Sequence, residues 1–236
     1  MMFDTGLLRH ILPEMEALRG IHQPPAFHPE GDVWEHTLRM LDILHEGGAA
    51  GADPRLAWAV LFHDVGKAVT RSEDEAGVHF YGHVQKSGEI AAQIMGRLKF
   101  SNADTEVVLA LIREHMRFMH VREMRRGTLK RFLRLPDFNL HLALHRLDCL
   151  GSHGMLDSYE FCRDALAALP PEALHPPRLI TGHDLLTLGF QAGPLFKEIL
   201  HAVEDAQLEG KIATLEDAKG WVLDRWGTKR PSGLLP

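Results

Sequence analysis

Apolar residues recur every three or four positions along nearly all of this 236-residue chain, and that spacing forms one continuous buried stripe only on an α-helix. Leu7, Leu8, Ile11, Leu12, Met15 and Leu18 outline a first helix. Asp32 is placed to cap a second, with Val33, Thr37, Met40, Leu41 and Leu44 facing inward. Asp53-Pro54 starts a third, with proline at the first helical position, and the pattern carries it through Leu56, Val60 and Leu61 to Gly66. The spacing predicts further helices over 84–98, 104–119, 128–135, 138–150 and 157–169. Strict apolar–polar alternation is nowhere sustained, so no sheet is expected and the fold class is all-α.

The stretch PPEALHPPRL, Pro170 to Leu179, breaks the pattern with four prolines and reads as a connector. Beyond it, Gly193-Pro194 opens a helix, and Thr214 with Asp217 is placed to cap the last one. The expected organisation is a helical bundle over 1–170 and a small helical tail over 171–236. No apolar run approaches the ~20 residues that span a bilayer, and the acidic, amphipathic start lacks the basic region of a secretory signal. Two cysteines, Cys149 and Cys162, exclude a disulfide framework and a four-thiolate zinc site. The expectation is a cytoplasmic protein with no membrane partner. Oligomeric state is not encoded in any pattern found.

Against this background LFHDVGK, Leu61 to Lys67, sets a histidine and an aspartate side by side after an apolar run. Buried ionisable groups are costly unless something holds their charge. His36 lies between Val33 and Met40, His63 and Asp64 come just after Val60, His115 comes after Leu111 and Ile112, and Asp148 adjoins Leu147. Each falls on the buried stripe of its helix. A single histidine there is ordinarily a hydrogen-bonded core residue. Two inward carboxylates with three inward histidines call for a shared partner, and mixed oxygen and nitrogen donors suit a divalent transition metal or magnesium. His79 and His83 have i, i+4 spacing, but the intervening Tyr81-Gly82 reads as a loop. His141 and His145 share a face with Asp148 and can imitate a metal site, although supporting or surface roles are commoner there.

In order and spacing, His36, His63-Asp64 and Asp148 match the H…HD…D signature of the HD superfamily of metal-dependent phosphohydrolases. HPEGDVWEHT, LFHDVGK, HFYGHVQKSGEIA, HMRF and TLKRFLR resemble the HD region of bacterial tRNA nucleotidyltransferases and poly(A) polymerases. The segment ITGHDLLTLGFQAGPLFKEIL resembles the short segment on the C-terminal side of that region in those enzymes. The resemblance covers about residues 25 to 225. It implies an HD-domain helical bundle in which His36, His63, Asp64 and Asp148 hold one divalent ion. His83 and His115 take the places of the extra histidines of two-metal members, with Asp64 bridging. One or two ions per chain are implied, with Mg, Mn, Ni, Co, Fe and Zn not distinguished. Asp64 and Lys67 are the catalytic candidates; Lys67 is placed either to meet a phosphoryl oxygen or to serve as a helix C-terminal charge.

The implied activity is hydrolysis of phosphomonoesters or 2′,3′-cyclic phosphodiesters of nucleotides or RNA ends. The alternatives are a non-catalytic tRNA- or RNA-binding module with a structural metal, and regulatory nucleotide binding. The polymerases' G-[GS]-x-[VA]-R-D and D-x-D motifs are missing, so the chain is expected not to add nucleotides and to be the HD part standing alone. A net charge of −6 argues against a polyanion binder as a whole. The run from Arg113 to Arg134 is nevertheless basic. Arg125, Arg126, Lys130 and Arg131 within it are the candidates for phosphate or RNA contact, a solvated face being the ordinary reading. GFQAGP, 189–194, opens a helix whose free N–H groups either cap it or meet a phosphate.

Overall fold

Proline divides the first apolar stripe. The computed structural model describes residues 5–25, 28–47 and 53–230. Within it, the expected first helix is two short ones, α1 (Leu8–Ile11) and α2 (Pro13–Glu16), with Leu12 outside helical geometry between them. Pro13 disfavours the α conformation in the residue before it and offers no N–H to a continuing helix. The apolar pattern still holds, because Leu12, Met15 and Leu18 are buried.

Two helix starts show the expected capping chemistry. Asp32 accepts from the Glu35 amide at 2.9 Å ahead of α3 (Val33–Glu46). Asp53 accepts from the Arg55 amide at 2.9 Å ahead of α4 (Pro54–Phe62). The α4 helix ends at Phe62 rather than Gly66, and His63–Gly66 turn tightly into α5 (Lys67–Thr70). Next comes a small hairpin, β1 (Ser72–Asp74) paired antiparallel with β2 (Gly77–His79), in register Ser72 to His79. This sheet is absent from the sequence expectation. Strands of three residues are too short for alternation to register, and the sequence cue is the turn, where Asp74 Oδ1 accepts from the Ala76 amide at 2.8 Å.

Gly82, at φ 76°, precedes α6 (His83–Arg97), and Ser101 caps α7 (Asn102–Glu114). Expected to run to 119, α7 instead passes at His115 into a 3₁₀ segment, His115–Glu123. Then come α8 (Arg126–Leu133), α9 (Phe138–Gly151), α10 (Asp157–Ala168), α11 (Pro171–Leu174) and α12 (Gly182–Thr187). The chain finishes with α13 (Pro194–Leu208), α14 (Leu215–Trp226) and a 3₁₀ turn, Gly227–Lys229. The described chain is all-α apart from the hairpin.

Two compact units result: Met1–His120 with Asp137–Arg163, and Val121–Pro136 with Asp164–Pro236. The sequence pattern places the division at 170 and carries the tail to 236; residues 231–236 lie outside the described set. In the first unit α4 packs against α3, α6, α7 and α9. Ala59, Val60, Phe62, Val33, Met40, Ile94, Leu111, Ile112 and Leu144 form its core. In the second, α13 packs on α8, α12 and α14, around Leu185, Ile199, Val203, Ala218 and Val222. Capping boxes start both α12, at Thr181 with Asp184, and α14, at Thr214 with Asp217. No helix among the described residues is long and apolar enough to cross a membrane.

Candidate metal centre

The end of α4 builds the centre of the site. His63 keeps helical geometry at the C-cap of α4, and the chain turns after it. There His63 Nε2 lies 3.3 Å from Asp64 Oδ2, and both side chains are buried. Gly66 lets the turn press against α6. A β-carbon there would stand 2.5 Å from the His83 carbonyl oxygen and the Ser87 amide nitrogen. The Gly66 amide donates to Ser87 Oγ at 2.9 Å. This close approach carries His83 toward Asp64.

Three histidines share one device. Nδ1 of His63 lies 2.8 Å from the Val60 carbonyl, that of His83 2.9 Å from Phe80, and that of His115 2.6 Å from Ile112, each acceptor three residues earlier. A carbonyl only accepts, so Nδ1 carries the proton and Nε2 keeps its lone pair. Those Nε2 atoms point at Asp64: Oδ1 is 3.5 Å from His83 and 3.9 Å from His115, while Oδ2 faces His63. His36 completes the other side, its Nε2 3.1 Å from Asp148 Oδ1 and its ring centroid 5.6 Å from that of His63. Thus His36, His63, Asp64, His83, His115 and Asp148 are gathered into one cluster, with the two oxygens of Asp64 facing different members.

The donor set fits a divalent cation. Nε2 of His63 and His83 and Oδ1 of Asp64 are buried with no hydrogen-bond partner. Lone pairs facing a carboxylate at these distances are acceptors without a donor, an arrangement that a cation satisfies. His36, His63 and Asp64 form one group able to share an ion, and Asp64, His83 and His115 form another.

Burial alone would raise Asp64, but Lys67, His63 and His83 outweigh it and hold the carboxyl well below the carboxylate range. Asp148, whose burial is outweighed by His36, is also held low. Burial pushes His115 down to about 4 and lowers His83, keeping both imidazoles neutral. Burial would lower His36 too, but Asp148 and Glu30 on either side raise it to about 9.

Lys67 opens α5 instead of closing a helix. Its ammonium donates to Gln23 Oε1 and lies against Asp64 Oδ2, both at 2.7 Å, on the wall of a cavity of about 590 Å³ that Asp64, His83, His115 and Asp148 also line. His79 stays apart from the cluster, with Nε2 2.9 Å from Asp74. His145 is stacked on Phe118, centroids 4.3 Å apart, and burial takes it to about 4. His141 lies beside Phe138. Neither joins the groups able to share an ion among the described residues.

In the second unit the basic candidates separate. Arg131 pairs with Asp205, and Arg134 with Glu204 at 2.5 Å, both on α13. Lys130 is buried, whereas Arg125 and Arg126 at the start of α8 are exposed.

Glu30 is the site residue that sequence reasoning misses. Its Oε1 lies 2.8 Å from Nδ1 of both His28 and His36. It belongs to HPEGDVWEHT, so a motif signal exists, but a loop residue has no helical period to mark it as inward.

A helical domain with histidines and aspartates converging on one buried point is the class the fold and site define. Residues 33–138 match the HD domain family model. The chain is 34% identical over 239 residues to the A-adding tRNA nucleotidyltransferase of Deinococcus radiodurans, an alignment covering 96% of this chain and 53% of that protein. With the CC-adding tRNA nucleotidyltransferase of Thermus thermophilus it shares 36% over 230 residues, 93% of this chain and 50% of the relative. The Multifunctional CCA protein of Halorhodospira halophila is 40% identical over 125 residues, 53% of this chain and 29% of that one. The chain spans about half the length of the first two relatives.

Proposed function

We propose that this chain is a metal-dependent phosphohydrolase acting on phosphomonoesters or 2′,3′-cyclic phosphodiesters of nucleotides or RNA ends. The observation that carries the reading is the set of buried, partnerless acceptors, Nε2 of His63 and His83 with Oδ1 of Asp64, beside an open cavity. His36, His63, Asp64 and Asp148 would hold one divalent ion, and Asp64, His83 and His115 a second. Bound there, the ions would supply Lewis acidity at phosphorus and activation of water. The protein's own part is orientation and charge. The backbone carbonyls behind His63, His83 and His115 fix each tautomer, and Glu30 faces the far side of the His36 ring. Lys67, on the cavity wall, is placed to orient a phosphoryl oxygen. Metal-stripped protein re-supplied singly with Mg, Mn, Co, Ni or Zn and offered 2′,3′-cyclic AMP, AMP and a chromogenic phosphomonoester tests this. Turnover with at least one ion is expected; no turnover by metal-replete protein across the panel refutes it.

A second reading rests on the exposure of Arg125 and Arg126 and on the tRNA nucleotidyltransferases among the relatives: the start of α8 contacts an RNA backbone. Replacing both arginines with glutamate should then weaken RNA binding and flatten its salt dependence. If the unaltered protein has no RNA affinity at low salt, this reading falls.

A further inference from the structure

The cavity that reaches Asp64, His83 and His115 has a second, chemically different lining of His79, Phe80, Tyr81, Met116 and Met119. Tyr81 is 76% exposed and Met119 63%, among the most exposed large apolar side chains of the described residues. A lone exposed aromatic needs no explanation, but this one is built into place. The Tyr81 ring lies nearly parallel to that of His79, with centroids 5.1 Å apart and planes 13° apart. His79 is held in turn by Asp74 Oδ1, which also accepts from the Ala76 amide and so ties the ring to the hairpin turn. The stack is therefore fixed before any ligand arrives, which lowers the ordering cost of binding. One face of His79 is covered by Tyr81, and Met116 and Met119 add polarisable thioethers to the same lining. Phosphate chemistry alone has no use for such a surface. A flat, π-faced ring does.

We infer that Tyr81, backed by His79, is a stacking platform for the nucleobase of a nucleotide whose phosphate lies at the His–Asp cluster. This rests on the phosphohydrolase reading for the phosphate end only. Base–aromatic stacking is sequence-tolerant, so the platform selects for the presence of a base and not for its identity.

The test compares the unaltered protein with Tyr81→Ala, Tyr81→Leu and Tyr81→Phe, each loaded with Mn, on AMP and on glycerol 2-phosphate. The ratio of kcat/KM for AMP to that for glycerol 2-phosphate should fall roughly tenfold in Tyr81→Ala and in Tyr81→Leu, through KM. Tyr81→Phe should restore it. A ratio unchanged in Tyr81→Ala, or lost equally in Tyr81→Phe, overturns the platform. Should the unaltered protein hydrolyse neither compound, equilibrium binding of AMP decides the platform. Weaker binding in Tyr81→Ala than in Tyr81→Phe sustains it; equal binding, or none by the unaltered protein, overturns it.

Discussion

The two units bury different things. In the first, an apolar core surrounds His36, His63, Asp64, Lys67, His83 and His115, all under 9% exposed. In the second, the cluster of Ile180, Leu185, Phe190, Ile199, Val203 and Val222 holds apolar side chains, and its acids sit at helix caps and in partly exposed ion pairs. The second unit is ordinary helical packing, with its charge, the buried Lys130 apart, left where water screens it. The first gives up stability to desolvate charge, and such an arrangement persists when a ligand completes it. The contrast teaches where to look for chemistry: not where charge is abundant, but where it is buried and its partners are incomplete.

The largest effect expected is from Asp64→Ala, which removes the group facing His63, His83 and His115 at once. Turnover should vanish and metal content should fall. His83→Ala or His115→Ala should leave one ion per chain and remove most turnover. Elemental analysis beside kinetics reads both, and full activity in Asp64→Ala would break the contrast between the units.

Glu30→Gln comes next. Gln keeps an oxygen that accepts from Nδ1 but removes the negative charge behind the ring, and metal affinity should drop about 10- to 100-fold. Titration of stripped protein with Co, monitored by its absorption, measures this without reference to activity.

One substitution can be made in both units with opposite signs. Gly66→Ala places a β-carbon 2.5 Å from backbone atoms of α6, and should cost ~1–3 kcal/mol and reduce metal retention. Gly220→Ala, in α14 with nothing within 4 Å of the added carbon, should stabilise by ~0.5–1 kcal/mol. Thermal or urea unfolding compares the two, and a stabilising Gly66→Ala would show that the close approach of the HDVG turn to α6 is unnecessary.

The smallest effect separates burial from charge within the first unit. Arg97 holds Glu14 in a partly exposed pair at 2.7 Å, and its hydrogen bond lowers the Glu14 carboxyl below its ordinary 4.5. A lowered carboxyl contributes stability above its unfolded value, and loses it as pH falls through the folded value. Arg97→Ala should therefore lower stability only slightly at pH 7, since an exposed pair is screened by water. The difference should shrink below pH ~4.5, toward the share Arg97 holds through its 3.0 Å hydrogen bond to the Ile11 carbonyl. A loss that does not shrink in acid would show that the Glu14 charge contributes nothing.

Element type and most helix starts are legible in the chain. Asp32, Asp53-Pro54, Gly193-Pro194 and Thr214 mark helix starts through local chemistry that acts within one turn. So are the inward positions of His36, His63, His115 and Asp148, because a 3.6-residue period places a side chain on a face without knowledge of the rest. Stops are less legible. The α4 helix closes at Phe62 and α7 at Glu114, where the rings of His63 and His115 turn back on carbonyls of the last turn. Pro13 is a local signal for a break, and the length of the apolar stripe obscures it.

What the sequence determined by itself is thus an all-α chain with charged residues aimed inward from separate helices, since period and capping are local properties. Which of them meet, only the tertiary structure decided. His83 reaches Asp64 because Gly66 admits α6; Glu30 reaches His36 from a loop; His79 is taken by Asp74 across a hairpin; Arg131 and Arg134 are taken by α13. These pairings depend on close approach between segments far apart in the chain or lacking a repeat, and no period in one segment records the shape of another.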